Sequence, residues 1–208
     1  MGLAKDIIKD NKKILLLVLA LCLLSVVGVF LLNQNALTPT SGIIEPAGLY
    51  NRAEDVIEEG VDYGAIIKTE YGDIELELYE NQSPNAVNSF LFLAGQDFYD
   101  GLTFHRVIKN FVIQAGDQKG DGNGDPGYAL DLDVNNLQVK EYSVCMANAS
   151  QFFIVPQGAD LSQLQDYPII GEVISGFAVV DAIEKVSVDK NFKPVNDIKI
   201  ASILITEK

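Results

Sequence analysis

From residue 63 onward, hydrophobic and polar positions mostly alternate with the two-residue period of β-strands. Residues 74–79 read Ile-Glu-Leu-Glu-Leu-Tyr, which predicts a strand with one solvated face, and residues 65–69 predict its hairpin partner. The same period predicts further short strands at 103–108, 111–115, 128–131, 140–146, 151–155 and 168–174, and in the segment that follows Ile198. The folded part of the chain is therefore predicted to be mainly β.

Two segments show helical spacing instead. Ser83 is the predicted N-cap of a helix over 84–95, where apolar residues recur from Val87 onward. A second helix is predicted over about 177–185. Because the strands are short and punctuated by glycine, the pattern favours a closed antiparallel barrel with two helices.

The N-terminal part of the chain has a different composition. Residues 14–32 are 19 consecutive positions without a charge, and a helix of that length spans roughly 28 Å, close to the hydrocarbon thickness of a bilayer. Four lysines lie within residues 1–13, whereas residues 33–51 contain no Lys or Arg. Because cationic flanks stay on the cytoplasmic side, we expect the N-terminus in the cytoplasm and everything after residue 32 outside it.

This pattern predicts four regions: a cytoplasmic basic segment at 1–13, a transmembrane signal anchor at 14–32, an extracytoplasmic tether at 33–62 and a folded domain at 63–208. A cleaved signal peptide is the alternative, but the apolar run is longer than usual for one and no small-x-small cleavage site follows it. Within the tether, a capping-box pattern predicts a short acidic helix at 52–59. We expect a single-pass, membrane-anchored bacterial protein with its domain extracytoplasmic.

The charge balance narrows the possible partners. The chain carries 15 Lys and Arg against 29 Asp and Glu, a formal net charge of −14. That balance argues against nucleic acid, because phosphate binding needs clustered cations. The part after residue 32 is more acidic still, with 11 basic and 27 acidic residues. One histidine and two cysteines cannot supply a Cys/His zinc site, and no metal or cofactor is predicted.

The only histidine, His105, stands beside Arg106, one of two arginines in the chain. Neighbouring side chains of a strand point to opposite faces, so Arg106 and Ile108 share one face and His105 lies on the other. If the following turn is tight, Phe111 and Gln114 return to the Arg106 side. An arginine, an amide and an aromatic ring can then converge on one surface. On periodicity alone, a salt-bridged surface arginine and a core phenylalanine remain the alternative.

Four stretches resemble the signature of the cyclophilins, the peptidyl-prolyl cis-trans isomerases. They are the run from Phe104 to Asp117, the glycine-rich run that reaches Tyr128, Ser-Gln-Phe-Phe-Ile at 150–154, and Gly-Glu-Val at 171–173 with the apolar residues that follow. They occur in the family's order between residue 63 and the C-terminus. The resemblance implies a cyclophilin-like domain, a closed antiparallel eight-stranded barrel with two capping helices, here preceded by one transmembrane helix.

The resemblance also implies the site residues and the activity. The family's essential arginine falls on Arg106, with His105 and Gln114 as its polar catalytic partners. The substrate-binding groove falls on residues that would hold the proline ring or the peptide backbone: Phe111, Val112, Ala147, Asn148, Ala149, Gln151, Phe153, Leu164 and Tyr167. The implied function is isomerisation of X-Pro bonds in exported or membrane-proximal polypeptides, which are the expected partners.

The implied chemistry requires no nucleophile, metal or cofactor. Rotation about a peptide bond faces a barrier of about 18–20 kcal/mol, and in the twisted state the prolyl nitrogen gains a lone pair that a fixed guanidinium can bond.

The loop before Ser150 is much shorter than in many members. A catalytically weak cyclophilin-like module, binding proline-containing segments as a chaperone or scaffold, is therefore the alternative. The chain has no tryptophan, which implies weak sensitivity to cyclosporin.

Overall fold

The computed structural model describes residues 50–133 and 135–208. Within these ranges the chain forms eight strands, two α-helices and one turn of 3₁₀ helix at Leu161–Gln163. The strands are β1 (Tyr63–Thr69), β2 (Gly72–Leu78), β3 (Arg106–Ile108), β4 (Val112–Ala115), β5 (Ser143–Met146), β6 (Phe152–Ile154), β7 (Ile169–Ser175) and β8 (Ile200–Glu207). The helices are α1 (Pro84–Gly95) and α2 (Phe177–Glu184).

All eight strands belong to one antiparallel sheet that curls into a half-barrel, in the order β3-β4-β6-β5-β7-β2-β1-β8. Strands β3 and β8 end this order. The segment that precedes β3 is joined to the start of β8 by two backbone hydrogen bonds. The Gly101 nitrogen donates to the Ile200 oxygen (2.8 Å), and the Phe104 nitrogen donates to the Ile198 oxygen (2.9 Å). The fold is mainly β as predicted. The predicted barrel is not closed by a strand ladder, because only these adjoining segments connect its two edges.

The main hydrophobic core lies inside the curl and beneath the helices. There the Phe152 ring centroid lies 5.5 Å from that of Phe90 on α1 and 5.6 Å from that of Tyr99. Side chains alternate along β6 and β4, so Phe153 and Val112 lie on the opposite face from this core. They form a second apolar cluster that the 3₁₀ helix covers, and the candidate site is built on this outer face.

The start of α1 is held by tertiary contacts. Ser83 stands at the N-cap position as predicted, but its side chain makes no capping bond, because its hydroxyl donates to the Ile169 carbonyl (2.8 Å). Asp133 supplies the cap instead, since its Oδ2 accepts from the Ala86 nitrogen at 3.0 Å. A residue 47 positions away in the chain therefore satisfies this free N–H group of the helix.

The described part of the predicted tether lies against the domain. The Val56 nitrogen donates to Asn88 Oδ1 (2.8 Å), and Asn88 Nδ2 donates to the Glu54 carbonyl (2.9 Å). The helix predicted at 52–59 does not form, because Asn88 of α1 takes up backbone groups that the helix would pair internally. The strand predicted at 128–131 is also absent.

No helix in residues 50–133 and 135–208 has the length and apolar character needed to cross a bilayer. The predicted transmembrane anchor at 14–32 lies outside the described residues.

Candidate active site

The β3–β4 hairpin places Arg106 opposite Gln114. The strand register pairs these two residues, and it pairs Val107 with Ile113 on the face turned to the core. The hairpin turns at Asn110, whose φ of +55° lies in the left-handed region that asparagine tolerates better than most residues. This tight turn returns β4 alongside β3, and it brings the amide side chain to the guanidinium.

Two contacts position the Arg106 guanidinium. Its Nη1 donates to Gln114 Oε1 at 3.2 Å, and its Cζ lies 5.9 Å from the centroid of the Phe111 ring, within the range of a cation–π contact. Among the described residues Arg106 makes no ion pair. Its side chain is half-buried. Because no carboxylate among these residues pairs with the guanidinium, its remaining N–H donors are free to bind an incoming acceptor.

Gln114 is itself oriented by a buried amide. Gln114 Nε2 donates to Gln151 Oε1 at 2.9 Å, and Gln151 Nε2 donates to the carbonyls of Gly122 (3.2 Å) and Gly124 (2.9 Å). Carbonyls only accept, so Gln151 must turn its NH₂ group to the glycine-rich loop and its oxygen to Gln114. Gln114 must then present its own oxygen to Arg106. These contacts form an amide relay that fixes the orientation of the guanidinium.

The buried Asp117 holds the glycine-rich loop in place. Its carboxylate accepts backbone N–H groups from Lys119 (2.8 Å), Asp121 (2.9 Å) and Gly122. Burial alone would raise the pKa of Asp117, but the N–H donors of Lys119 and Gly122 outweigh that effect and lower it. A Cβ atom at Gly124 would lie 1.8 Å from this carboxylate. Asp117 therefore fixes the backbone of the loop whose Gly122 and Gly124 carbonyls accept from Gln151.

A pocket of about 250 Å³, walled by both apolar and polar side chains, opens beside the guanidinium. The Phe153 and Tyr167 rings meet edge to face in its wall, with centroids 5.1 Å apart. Its lining contains most of the predicted site and one residue that sequence reasoning missed, Gln163: Arg106, Phe111, Val112, Gln114, Ala147, Phe153, Gln163, Leu164 and Tyr167. The pocket can hold a small apolar ring with one polar edge turned to Arg106.

A second cavity of about 530 Å³ shares Ala147 with this pocket. Asn148 and Ala149, which were predicted for the groove, line it, as do residues between 125 and 132 that were not predicted. Ser89 of α1 supports it from beneath: its hydroxyl donates to the Ala149 carbonyl (2.7 Å), so the Tyr128 hydroxyl must donate to Ser89 (2.7 Å). The residues between 125 and 132 lack strand or helix periodicity, and only the glycine-rich run pointed towards them.

The structure places His105 apart from the 250 Å³ pocket beside Arg106. His105 is 5 % exposed and lines a third cavity, on the other side of Arg106, together with Asp121 and Lys193. Burial lowers the pKa of its imidazole, and the charges of Arg106 and Lys193 act in the same direction, against that of Asp117. With its pKa lowered, the imidazole is neutral at pH 7, and it does not line the 250 Å³ pocket.

No cluster of His, Cys, Asp and Glu in residues 50–133 and 135–208 could hold a metal ion. Cys145 is buried behind Phe153, and burial raises the pKa of its thiol to about 12. The site itself offers hydrogen-bond donors from a fixed cation beside the 250 Å³ pocket.

Comparison with protein families matches residues 65–205 to the cyclophilin-type peptidyl-prolyl cis-trans isomerases. A peptidyl-prolyl cis-trans isomerase of Rhizopus delemar is 41% identical over 151 residues, which are 67% of this chain but 24% of that protein. Peptidyl-prolyl cis-trans isomerase A of Mycobacterium tuberculosis is 38% identical over 167 residues, covering 68% of this chain and 91% of that protein. The chain thus spans about a quarter of the fungal relative and most of the mycobacterial one.

Two solved structures share the fold. Both are of a Cryptosporidium parvum cyclophilin-type peptidyl-prolyl cis-trans isomerase, with a TM-score of 0.65. One is 33% identical and covers 71% of this chain and 99% of that chain. The other, determined in the presence of the dipeptide Ala-Pro, is 34% identical and covers 70% of this chain and 99% of that chain.

Proposed function

The chain belongs to the cyclophilin-type peptidyl-prolyl cis-trans isomerases, and on that premise we propose that it catalyses rotation about X-Pro bonds, with Arg106 stabilising the twisted imide. One observation carries the proposal: the guanidinium stands at the rim of a pocket walled by aromatic rings and keeps donors free, because within residues 50–133 and 135–208 its one side-chain acceptor is Gln114. The proline ring enters the pocket, and the prolyl nitrogen lies at its polar edge.

The geometry favours the transition state over both ground states. In planar cis or trans prolyl bonds the nitrogen lone pair is delocalised and accepts poorly. In the twisted state the lone pair localises on nitrogen, and an N–H of Arg106 can donate to it. An interaction that is made only in the transition state lowers the barrier without deepening the ground state. The amide relay matters because the donor must already be in position when the lone pair forms.

The pocket restrains one side of the rotating bond. Phe111 and Phe153 hold the ring from two sides, while Ala147 stands between the pocket and the second cavity. That second cavity offers space for residues that precede proline. With the ring fixed, the preceding carbonyl turns against it. The Ala-Pro dipeptide named with the Cryptosporidium relative supports a proline-containing polypeptide as the substrate class.

Arg106→Ala tests the proposal in the full chain. Isomerisation of an Ala-Pro tetrapeptide is measured by NMR exchange, which reports peptide binding and rate together. Removing one preorganised donor should lower kcat by roughly 10²–10³-fold while peptide binding persists. Arg106→Lys keeps the charge but loses the rigid fork, and it should recover only part of the rate. If the wild-type protein binds the peptide without accelerating exchange, the protein is a proline-binding scaffold or chaperone module and the isomerase proposal fails.

We further propose that the domain acts outside the cytoplasm, anchored by residues 14–32, on exported or membrane-proximal proteins. The uncharged run, the lysines before it and the absence of Lys and Arg from residues 33–51 support this placement. Protease added to intact spheroplasts should remove the domain, and protection from it would contradict this orientation. The intact mass of the membrane-extracted protein tells an uncleaved anchor from a cleaved signal peptide.

A further inference from the structure

The last residue of α2 is a glutamate in an unfavourable position. Glu184 is 6 % exposed, and it stands at the C-terminal end of the helix, where the macrodipole is negative. A carboxylate at that end is destabilising by the dipole, and glutamate is among the residues least often buried without a partner. Local propensity therefore disfavours this residue, so its role must come from a tertiary contact.

That contact is made with the turn of the catalytic hairpin. Glu184 Oε1 accepts from the Asn110 nitrogen at 2.6 Å, a short, charge-assisted hydrogen bond across 74 positions of the chain. Asn110 has a φ of +55° and immediately precedes Phe111, whose ring forms one wall of the pocket beneath Arg106. A carboxylate on α2 therefore fixes the backbone that aims this ring.

The other polar group of Asn110 reaches the opposite wall. Its carbonyl accepts from the Asp160 nitrogen at 2.9 Å. Asp160 Oδ1 in turn accepts from the Ser162 nitrogen at 3.0 Å and caps the 3₁₀ helix that leads to Leu164, a residue of the pocket lining. One peptide group on each side of Asn110 thus connects α2, the hairpin and the 3₁₀ helix.

We propose that Glu184 is a positioning residue that sets the separation of the two pocket walls through Asn110. The proposal rests on the pocket being the proline site of the proposed isomerase. Glu184 does not line the pocket and has no hydrogen bond or ion pair with Arg106. Its effect on the guanidinium passes only through the Phe111 ring, while the hydrogen bond to Gln114 holds the guanidinium directly. Loss of the Glu184 acceptor should therefore weaken binding of the ring more than it slows the catalysed step, a rise in KM with kcat nearly unchanged.

The test compares three variants of the full chain. Glu184→Leu removes the acceptor that ties the Asn110 N–H to α2, and because the turn that aims Phe111 loses this charge-assisted bond, we expect peptide affinity to fall about 5- to 20-fold. Glu184→Gln keeps an oxygen in place and should restore affinity to within about threefold of wild type. Val180→Ala on the same helix is the control: Val180 is fully buried in the core, so stability falls while the turn keeps its acceptor.

Three readouts keep the outcomes apart. NMR titration with an Ala-Pro tetrapeptide gives affinity, exchange spectroscopy gives the rate in the bound state, and amide exchange at Asn110 reports the hydrogen bond itself. If Glu184→Leu does not fold, Glu184→Asp withdraws the carboxylate by one methylene and should weaken affinity in the same direction. Unchanged affinity in a folded variant that has lost Asn110 protection overturns the proposal. A wild-type protein that binds but does not catalyse overturns the proposed function alone, because affinity still tests the positioning role.

Discussion

Replacing Gln151 with leucine tests whether the amide relay controls the arginine. Gln151 is 2 % exposed and makes three side-chain hydrogen bonds, to Gln114, Gly122 and Gly124. Leucine has a similar volume and none of these polar atoms. The change therefore leaves the packing largely intact and removes the relay at its centre.

The cost depends on which partners can reach water afterwards. Gln114 is half-buried and Gly122 is exposed, so both can be solvated, whereas Gly124 is buried and its carbonyl is left without a donor. One dry acceptor costs about 1–3 kcal/mol. A loss of about 2 kcal/mol corresponds to a fall in Tm of roughly 4–8 °C for a chain of this size. The free Gln114 amide no longer holds Arg106, and losing one hydrogen bond to a charged group predicts a drop in kcat of about tenfold or more.

Thermal unfolding and NMR exchange on the full chain measure both effects. Gln138→Leu, at an exposed position that lines none of the three cavities, is the matched control and should leave both quantities unchanged. A double-mutant cycle with Gln114→Ala then isolates the coupling: once either amide is gone, removing the second should cost little further rate. Rates that multiply independently, or a Gln151→Leu protein with full activity, would show that the relay does not orient the guanidinium.

Three other perturbations follow from the structure. Burial lowers the pKa of His105 below its ordinary value of 6.5, so as the pH falls through 6.5 the unfolded chain takes up a proton before the folded chain does. The free energy of unfolding should therefore be complete above that pH and decline below it, until the lower folded-state pKa is passed. Urea unfolding at a series of pH values should show that His105→Asn abolishes this decline. Gly171→Ala should destabilise the domain by about 3 kcal/mol, the upper end for overpacking, because the new Cβ meets the Glu77 carbonyl at 2.1 Å. Gly95→Ala in α1 is the control, and it should be neutral or stabilising because the nearest atom to its Cβ lies 3.9 Å away. Denaturant midpoints of the two variants compare their stabilities. The Cys145 thiol, with its pKa raised to about 12 by burial, should resist a thiol reagent at pH 8 in a Cys22→Ser background and react only on unfolding, so rapid labelling of the folded protein would contradict its burial.

The alternation of apolar and polar residues predicted strands correctly where one face of the strand is buried and the other is exposed. Along β2 the pattern of Ile74, Leu76 and Leu78 inside with glutamates outside is the observed burial, and the helix at 84–95 has the predicted bounds. Both elements bury one continuous face, so sequence period and structure agree. Where a segment's partner is distant in sequence, the agreement ends. The segment at 52–59 carries a helix signal, yet Asn88 bonds its backbone and Ile57 packs on the core, so tertiary contacts override a weak local preference.

The candidate site was predictable to different depths. Arg106 and Gln114 follow from strand alternation across a tight turn, and the structure pairs them in register. The groove beyond the pocket did not follow from any period, because residues between 125 and 132 are irregular and are held by distant partners, such as Ser89 at the Tyr128 hydroxyl and the Tyr50 nitrogen at the Pro126 carbonyl. Strand alternation also predicted that His105 lies on the opposite face from Arg106. The cavity that His105 lines was not predictable, because Asp121 and Lys193 reach it from distant loops.

A catalyst that breaks no bond needs two rigid supports, and the structure supplies them from different parts of the chain. The donor is held by amides and a glycine-rich loop, a system that ends at Gln151 and Asp117. The ring site is held at Asn110, whose N–H donates to the Glu184 carboxylate and whose carbonyl accepts from the Asp160 backbone N–H. The two systems meet only where the guanidinium lies over Phe111. On the proposed mechanism, ground-state affinity and transition-state stabilisation rest mainly on different hydrogen bonds, so we expect changes in the two systems to alter binding and rate to different extents.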